Sequence, residues 1–301
     1  MCGSGKKHDY TKHTYMYKQI EHILDGKEKS IGEETILQAL PHKDFRFASP
    51  FIVLHHLPLR SYPAGSPPER LHPHPHRGFA PVTFLFQGEG YHKDSLGNSG
   101  ILKGGEVQWM FAGSGLLHSE GPSSAFLERG GQYEFVQLWV NVPARYKMEA
   151  PFYQQATRAQ MPAISNDAGI DLRLASGTYQ QLTGPLSRSF TPVTSIFGSM
   201  EMNRTVRFPA TEGDWTLLYL LDGSVIINDR QTVNKQHLVV FSKAGTEITV
   251  TAREQCRLLY LSATPVDEPV AAKGNFVMNT QEEIAQAEAD FAAGKFGELD
   301  E

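Results

Sequence analysis

Residues 71–79 read LHPHPHRGF, three histidines alternating with two prolines. Proline fixes φ and lacks a backbone donor, so Pro73 and Pro75 hold the stretch extended and bar it from a central strand position. In an extended chain, side chains i and i+2 point the same way. His72, His74 and His76 therefore share one face, roughly 7 Å apart along the backbone by the strand rise. A neutral imidazole is the commonest protein metal ligand, and two on one face can converge on one ion by side-chain rotation. Taken alone, the run reads equally well as an exposed polar loop.

A second stretch adds to the first. Residues 113–120 read GSGLLHSE, placing His118 and Glu120 again at i and i+2. Between the two stretches lie a strand, a turn and another strand, enough chain to return His118 beside His76. Three imidazoles and one carboxylate suit Fe, Mn, Cu, Ni or Zn. Four ligands on a six-coordinate ion leave two positions for substrate or dioxygen, unlike a closed structural zinc site. Of the 12 histidines only His237 lies beyond His118, so any histidine chemistry belongs to the first half.

Composition limits the alternatives. A chain of 301 residues with 40% apolar and 20% charged residues is a soluble globular protein of one large or two ordinary domains. The net charge of −5 and the lack of a basic block argue against direct nucleic-acid binding. Apolar runs such as LLYLL (217–221) are too short to span a bilayer, and the N-terminus MCGSGKKHDY has no apolar signal-peptide core. Two distant cysteines, Cys2 and Cys256, make no disulfide framework, so a reducing cytoplasm is the expected compartment.

Strand-like runs bounded by turn residues recur: FIVLHHL (51–57), VTFLFQG (82–88), EVQWMFA (106–112), EFVQLWVNV (134–142), WTLLYLL (215–221), SVIIND (224–229), LVVFS (238–242), EITVTA (247–252) and CRLLYLS (256–262). Asp222-Gly223 reads as a tight hairpin turn, and Leu96 to Gly100 as another turn. The spacing predicts sandwiches or barrels. Residues 15–24 have an ambiguous helical pattern. One helix is clear: Thr280 and Glu283 have capping-box spacing, Ile284, Ala287 and Phe291 share a face, and Gly294 is the stop. Phe84, Phe86 and Trp109 are candidates to line an apolar pocket.

The segments HPHRGF (74–79), DSLGNSG (94–100), GGEVQWMFAGSGLLHSE (104–120), QLWVNVP (137–143) and GNFVMNTQEEIAQAEADF (274–291) resemble the pirins, a branch of the cupin superfamily. The resemblance covers roughly residues 30 to 293. It implies an all-β fold of two cupin jelly-roll barrels in tandem with a C-terminal helix. The expected division is an N-terminal extension at 1–30, a metal-binding cupin domain at 31–150, a linker and peripheral segment at 151–185, and a second cupin domain with the terminal helix at 186–301. Carried over by position, the ligands of one mononuclear divalent metal are His74, His76, His118 and Glu120, with His72 a neighbour. Iron(II) is the expected ion; manganese, copper, nickel and zinc are accepted by the same donors. In the second barrel, Tyr219, Asp222 and His237 make no ligand set, and no metal is expected there. Where many relatives have a glutamate four residues after the second histidine, this chain has Ala80, which implies a lost hydrogen-bond partner near the metal.

The resemblance further implies quercetin 2,3-dioxygenase chemistry, in which oxygen enters the central ring of a flavonol and carbon monoxide leaves. The partner is then a small aromatic substrate, and Glu120 is the catalytic base. The alternative it carries is an iron-dependent regulator acting through a protein partner. Neither reading calls for a membrane, and a monomer is expected.

Overall fold

The computed structural model of the chain describes residues 16–32, 34–68 and 71–300. Strands dominate, and they sort into two barrels. In the first, a seven-stranded sheet runs in the order Phe152–Ala156, Glu106–Phe111, Phe79–Gln87, Gly131–Asn141, Phe51–Tyr62, Glu34–Leu40, Lys27–Ile31. A four-stranded sheet faces it, ordered Leu71–His76, Leu116–Pro122, Glu89–Asp94, Ser99–Lys103. The proline-punctuated strand lies at the edge of this small sheet, where missing backbone donors cost least.

The second barrel repeats the plan. Its six-stranded sheet runs Ile20–Asp25, His237–Phe241, Trp215–Asp222, Cys256–Ala263, Val193–Met200, Ile170–Ser176, and its four-stranded sheet runs Thr205–Pro209, Glu247–Ala252, Ser224–Ile227, Gln231–Asn234. Asp222-Gly223 is therefore not a hairpin turn. The strands that it joins belong to different sheets. Gly223 makes the switch at φ +75°, where a Cβ would meet the Gln255 carbonyl oxygen at 2.2 Å.

The stretch expected to be a linker and peripheral segment supplies an edge strand to each large sheet. Phe152–Ala156 forms the edge of the first large sheet and Ile170–Ser176 the edge of the second, with Leu172 and Leu174 fully buried. Its polar composition hid these two edge strands and the short pair Thr178–Tyr179 and Leu182–Thr183. The expected N-terminal extension is likewise built in. Ile20–Asp25, within the pattern that allowed a helix, is a strand paired with His237–Phe241. The next strand, Lys27–Ile31, belongs to the first barrel. Residues 1–15, including Cys2, lie outside the described residues.

The large sheets pack on each other. Phe84, Trp109, Val136 and Leu138 of the first share one apolar cluster with Phe197, Leu217, Leu259 and Leu261 of the second. A separate cluster, including Leu174, Ile196, Phe208, Leu218, Val239 and Val250, fills the interior of the second barrel. A polar clasp crosses the interface. His56 Nδ1 lies 3.0 Å from Tyr219 Oη, and His56 Nε2 lies 3.3 Å from Glu134 Oε1. Arg257 donates to Glu134 and, at 3.1 Å, to Asp222.

The C-terminal segment leaves the second barrel and packs on the first. A two-stranded ribbon, Ala271–Lys273 with Phe276–Met278, precedes the helix Gln281–Ala292, whose capping box forms as expected between Thr280 and Glu283. Ile284 and Ala287 are buried, but Phe291 is 42% exposed. Asp290 takes an inward place instead, because its carboxylate receives Arg77 Nη1 at 2.8 Å. Arg77 follows His76 directly, so the helix holds the strand that carries the histidines.

Candidate metal centre

Pairing across the small sheet brings the two histidine stretches together. His118 sits opposite His74, and Leu116 opposite His76. Paired residues of antiparallel strands project to the same side, and here that side is the barrel interior. The centroid separations are 4.2 Å for His74 and His118, 4.7 Å for His76 and His118, and 5.0 Å for His74 and His76. One ligand atom from each of the three lies within 4.8 Å of the others, the arrangement needed to hold a metal ion.

The chemistry of the rings fits that use. His74 Nδ1 donates to the His72 carbonyl at 2.9 Å, and His76 Nδ1 faces the Asn275 carbonyl at 3.4 Å. A carbonyl only accepts, so both rings carry their proton on Nδ1 and leave Nε2 bare. That is the tautomer of a metal-bound imidazole whose other nitrogen is held from behind. His76 Nε2 and both nitrogens of His118 are buried without a hydrogen-bond partner. Each such orphan costs about 1–3 kcal/mol unless something binds it. His72 is exposed and contributes its backbone.

Burial holds His76 and His118 well below the ordinary imidazole range, and neighbouring imidazoles push the same way, His74 foremost. His55, on the facing sheet, is pushed down to about 3 by burial and then by Lys29. Unfolded imidazoles take up protons as the pH falls through about 6.5, and these three do not. The native state is therefore disfavoured progressively from that pH downward. The melting temperature of the metal-free protein should fall between pH 7 and pH 5; a flat profile would show that these rings titrate normally.

Glu120 shares the inner face but does not join the imidazole group. Its Oε1 accepts from Gln137 Nε2 at 2.7 Å. Gln137 Oε1 in turn accepts the indole N–H of Trp139 at 3.2 Å, and the Trp139 ring lies 5.5 Å from that of His76. An indole N–H can only donate, so Trp139 fixes which end of the Gln137 amide faces Glu120.

The facing wall differs from the expectation. Phe84 and Trp109 point away, into the core between the barrels, and Phe86 packs against that same core. The alternate residues Thr83, Gln108 and Gln137 lie side by side on the opposite face, toward the cluster. Ala80 also belongs to the core between the barrels. A glutamate there would point away from the metal centre, so alanine at this position removes no partner of the ion. His92, buried beside His118 with ring centroids 5.4 Å apart, escaped the sequence reading, although His92 and Asp94 repeat the i, i+2 spacing of the other pairs.

Two jelly-roll barrels packed face to face, with a histidine cluster inside the first, define a bicupin. The family profile for pirin matches residues 32–140, and that of the Pirin C-terminal cupin domain matches residues 198–297. The chain belongs to the pirin family. It is 34% identical to a Thermoplasma acidophilum protein named "Putative quercetin 2,3-dioxygenase", over 74% of this chain and 90% of that one. It is 35% identical to a pirin-like protein of Caulobacter vibrioides, over 74% of this chain and 79% of that one. The crystal structure of a quercetin 2,3-dioxygenase from Acinetobacter baumannii superposes with a TM-score of 0.89 at 34% identity, covering 95% of this chain and 100% of that chain. Among the described residues, no helix is long and apolar enough to cross a membrane.

Proposed function

We propose that the first barrel holds one divalent metal, iron(II) by expectation, on His74, His76, His118 and Glu120, and that the protein is a dioxygenase acting on a flavonol or related hydroxylated aromatic. The observation that carries this is the convergence of three imidazoles, His76 and His118 buried and His74 half-buried, with the Nδ1 atoms of His74 and His76 turned to backbone carbonyls and Glu120 on the same inner face. The names carried by the relatives support the reaction class.

When bound, the metal supplies Lewis acidity and a docking point for substrate and dioxygen. The protein does the rest. Glu120 takes the proton of the flavonol hydroxyl, a role that requires hydrogen-bond reach of that oxygen. The Gln137 amide holds Oε1 of Glu120 in place. Thr83 and Gln108, on the facing wall, offer hydrogen bonds to substrate oxygens.

Metal analysis of protein purified without added metal, paired with flavonol turnover in air and without it, tests the reading. One metal per chain, flavonol loss in air with release of carbon monoxide, and no loss without oxygen are expected. A loaded protein that turns over no flavonol with iron, manganese, copper or nickel would remove the dioxygenase reading and favour a regulator.

A further inference from the structure

His92 lies on Glu89–Asp94, opposite Glu120 in register and facing the same interior. It is 3% exposed and stacks on Tyr153, with centroids 5.2 Å apart and planes at 21°. Neither of its ring nitrogens has a hydrogen-bond partner, and neither nitrogen of its neighbour His118 has one. An ion on the cluster satisfies one nitrogen of His118 and leaves a buried N–H on the other. His74 and His76 meet the same need with backbone carbonyls, whereas no carbonyl plays that part for His118. Behind His92, Asp94 Oδ2 lies 3.7 Å from Nε2. That carboxylate is fixed in place by the backbone N–H groups of Leu96 and Asn98 at 2.9 and 3.0 Å, and by the Asn98 side chain. A carboxylate only accepts, so it draws the His92 proton to Nε2 and leaves Nδ1 bare.

We propose that His92 is the positioning residue of His118: its Nδ1 accepts the His118 ring N–H that faces away from the ion, and its Nε2–H runs to Asp94. The distances allow it. Two imidazoles joined end to end by an N–H···N bond of about 2.9 Å have centroids roughly 5 Å apart, against the 5.4 Å found here. His118 then differs from its two companions, because its support ends in a carboxylate and theirs in neutral carbonyls. A ligand held this way is the more basic donor of the three. The inference rests on the cluster being a metal centre and is independent of the substrate.

Cobalt(II) uptake, measured by competition with a chelator and by the visible bands of the bound ion, tests it. His92→Phe keeps a ring against Tyr153 and removes both nitrogens. Its cobalt affinity should fall about 10–100-fold with displaced bands, the usual scale for loss of a ligand's support. The melting temperature of the metal-free variant checks that the chain still folds. His92→Gln, which can both accept and donate, should recover part of the affinity. Wild-type affinity and bands in His92→Phe would overturn the proposal, as would a glutamine variant no better than phenylalanine, or a wild-type chain that takes up no cobalt. Failure of flavonol turnover in a chain that binds metal would sink the dioxygenase reading alone.

Discussion

Glu120→Gln is expected to lower flavonol turnover by about 10²-fold or more while the protein still binds its metal. That is the usual scale of a lost general base. Glutamine keeps the shape of the side chain but cannot take the proton. It also adapts to its surroundings. Trp139 turns the N–H end of Gln137 toward residue 120, so the new amide would present its oxygen there and preserve the contact seen at 2.7 Å. Three imidazoles remain, so metal affinity should fall modestly. His74→Ala should behave differently, losing metal and activity together, because it breaks the converging group itself. Near-full turnover by metal-loaded Glu120→Gln would show that the base lies elsewhere.

Glu134→Ala should destabilise the protein by about 3 kcal/mol or more in chemical denaturation, the lower end of the range for breaking a buried ion pair. The side chains of Glu134 and His56 are 2% and 1% exposed, so removing the carboxylate leaves a buried imidazole and a largely buried guanidinium without it. Arg257 keeps Asp222 as a second partner, which places the loss at the lower end. Glu134→Gln should cost less, since it preserves an acceptor for the guanidinium. Combining Glu134→Leu with Arg257→Met should recover much of the loss, because apolar pairs of similar volume replace buried ion pairs with little penalty. A single alanine variant as stable as wild type would mean that the clasp contributes no net stability to the joined barrels.

The all-β class, the paired histidine stretches, the turn at Leu96–Gly100 and the capped terminal helix were legible in the sequence. Each is written in local spacing. Alternation of i and i+2 sets the face that His74, His76, His118 and Glu120 share, and a capping box needs only Thr280 and Glu283 at the right separation. Proline at 73 and 75 excluded a central strand position, and the stretch lies at a sheet edge.

Other features depended on which strands meet, and no local pattern records that. Whether Phe84 and Trp109 faced ligand or core turned on the partner lying behind the large sheet, and the second barrel lies there. The same packing makes Ala80 a core residue. Asp222-Gly223 has the composition of a hairpin, yet in a jelly roll the chain passes there from one sheet to the other. His92, Gln137 and the Asn275 carbonyl reach the metal centre only through strand pairing and through the return of the C-terminal segment across the first barrel. The sequence by itself marked candidate donors, His72 and Glu120 among them, because donor type and two-residue periodicity are local; the fold brings His74, His76 and His118 together. The tertiary structure alone decided which groups hold those donors in place, because hydrogen-bond partners 17 and 199 residues distant in the chain are chosen by packing.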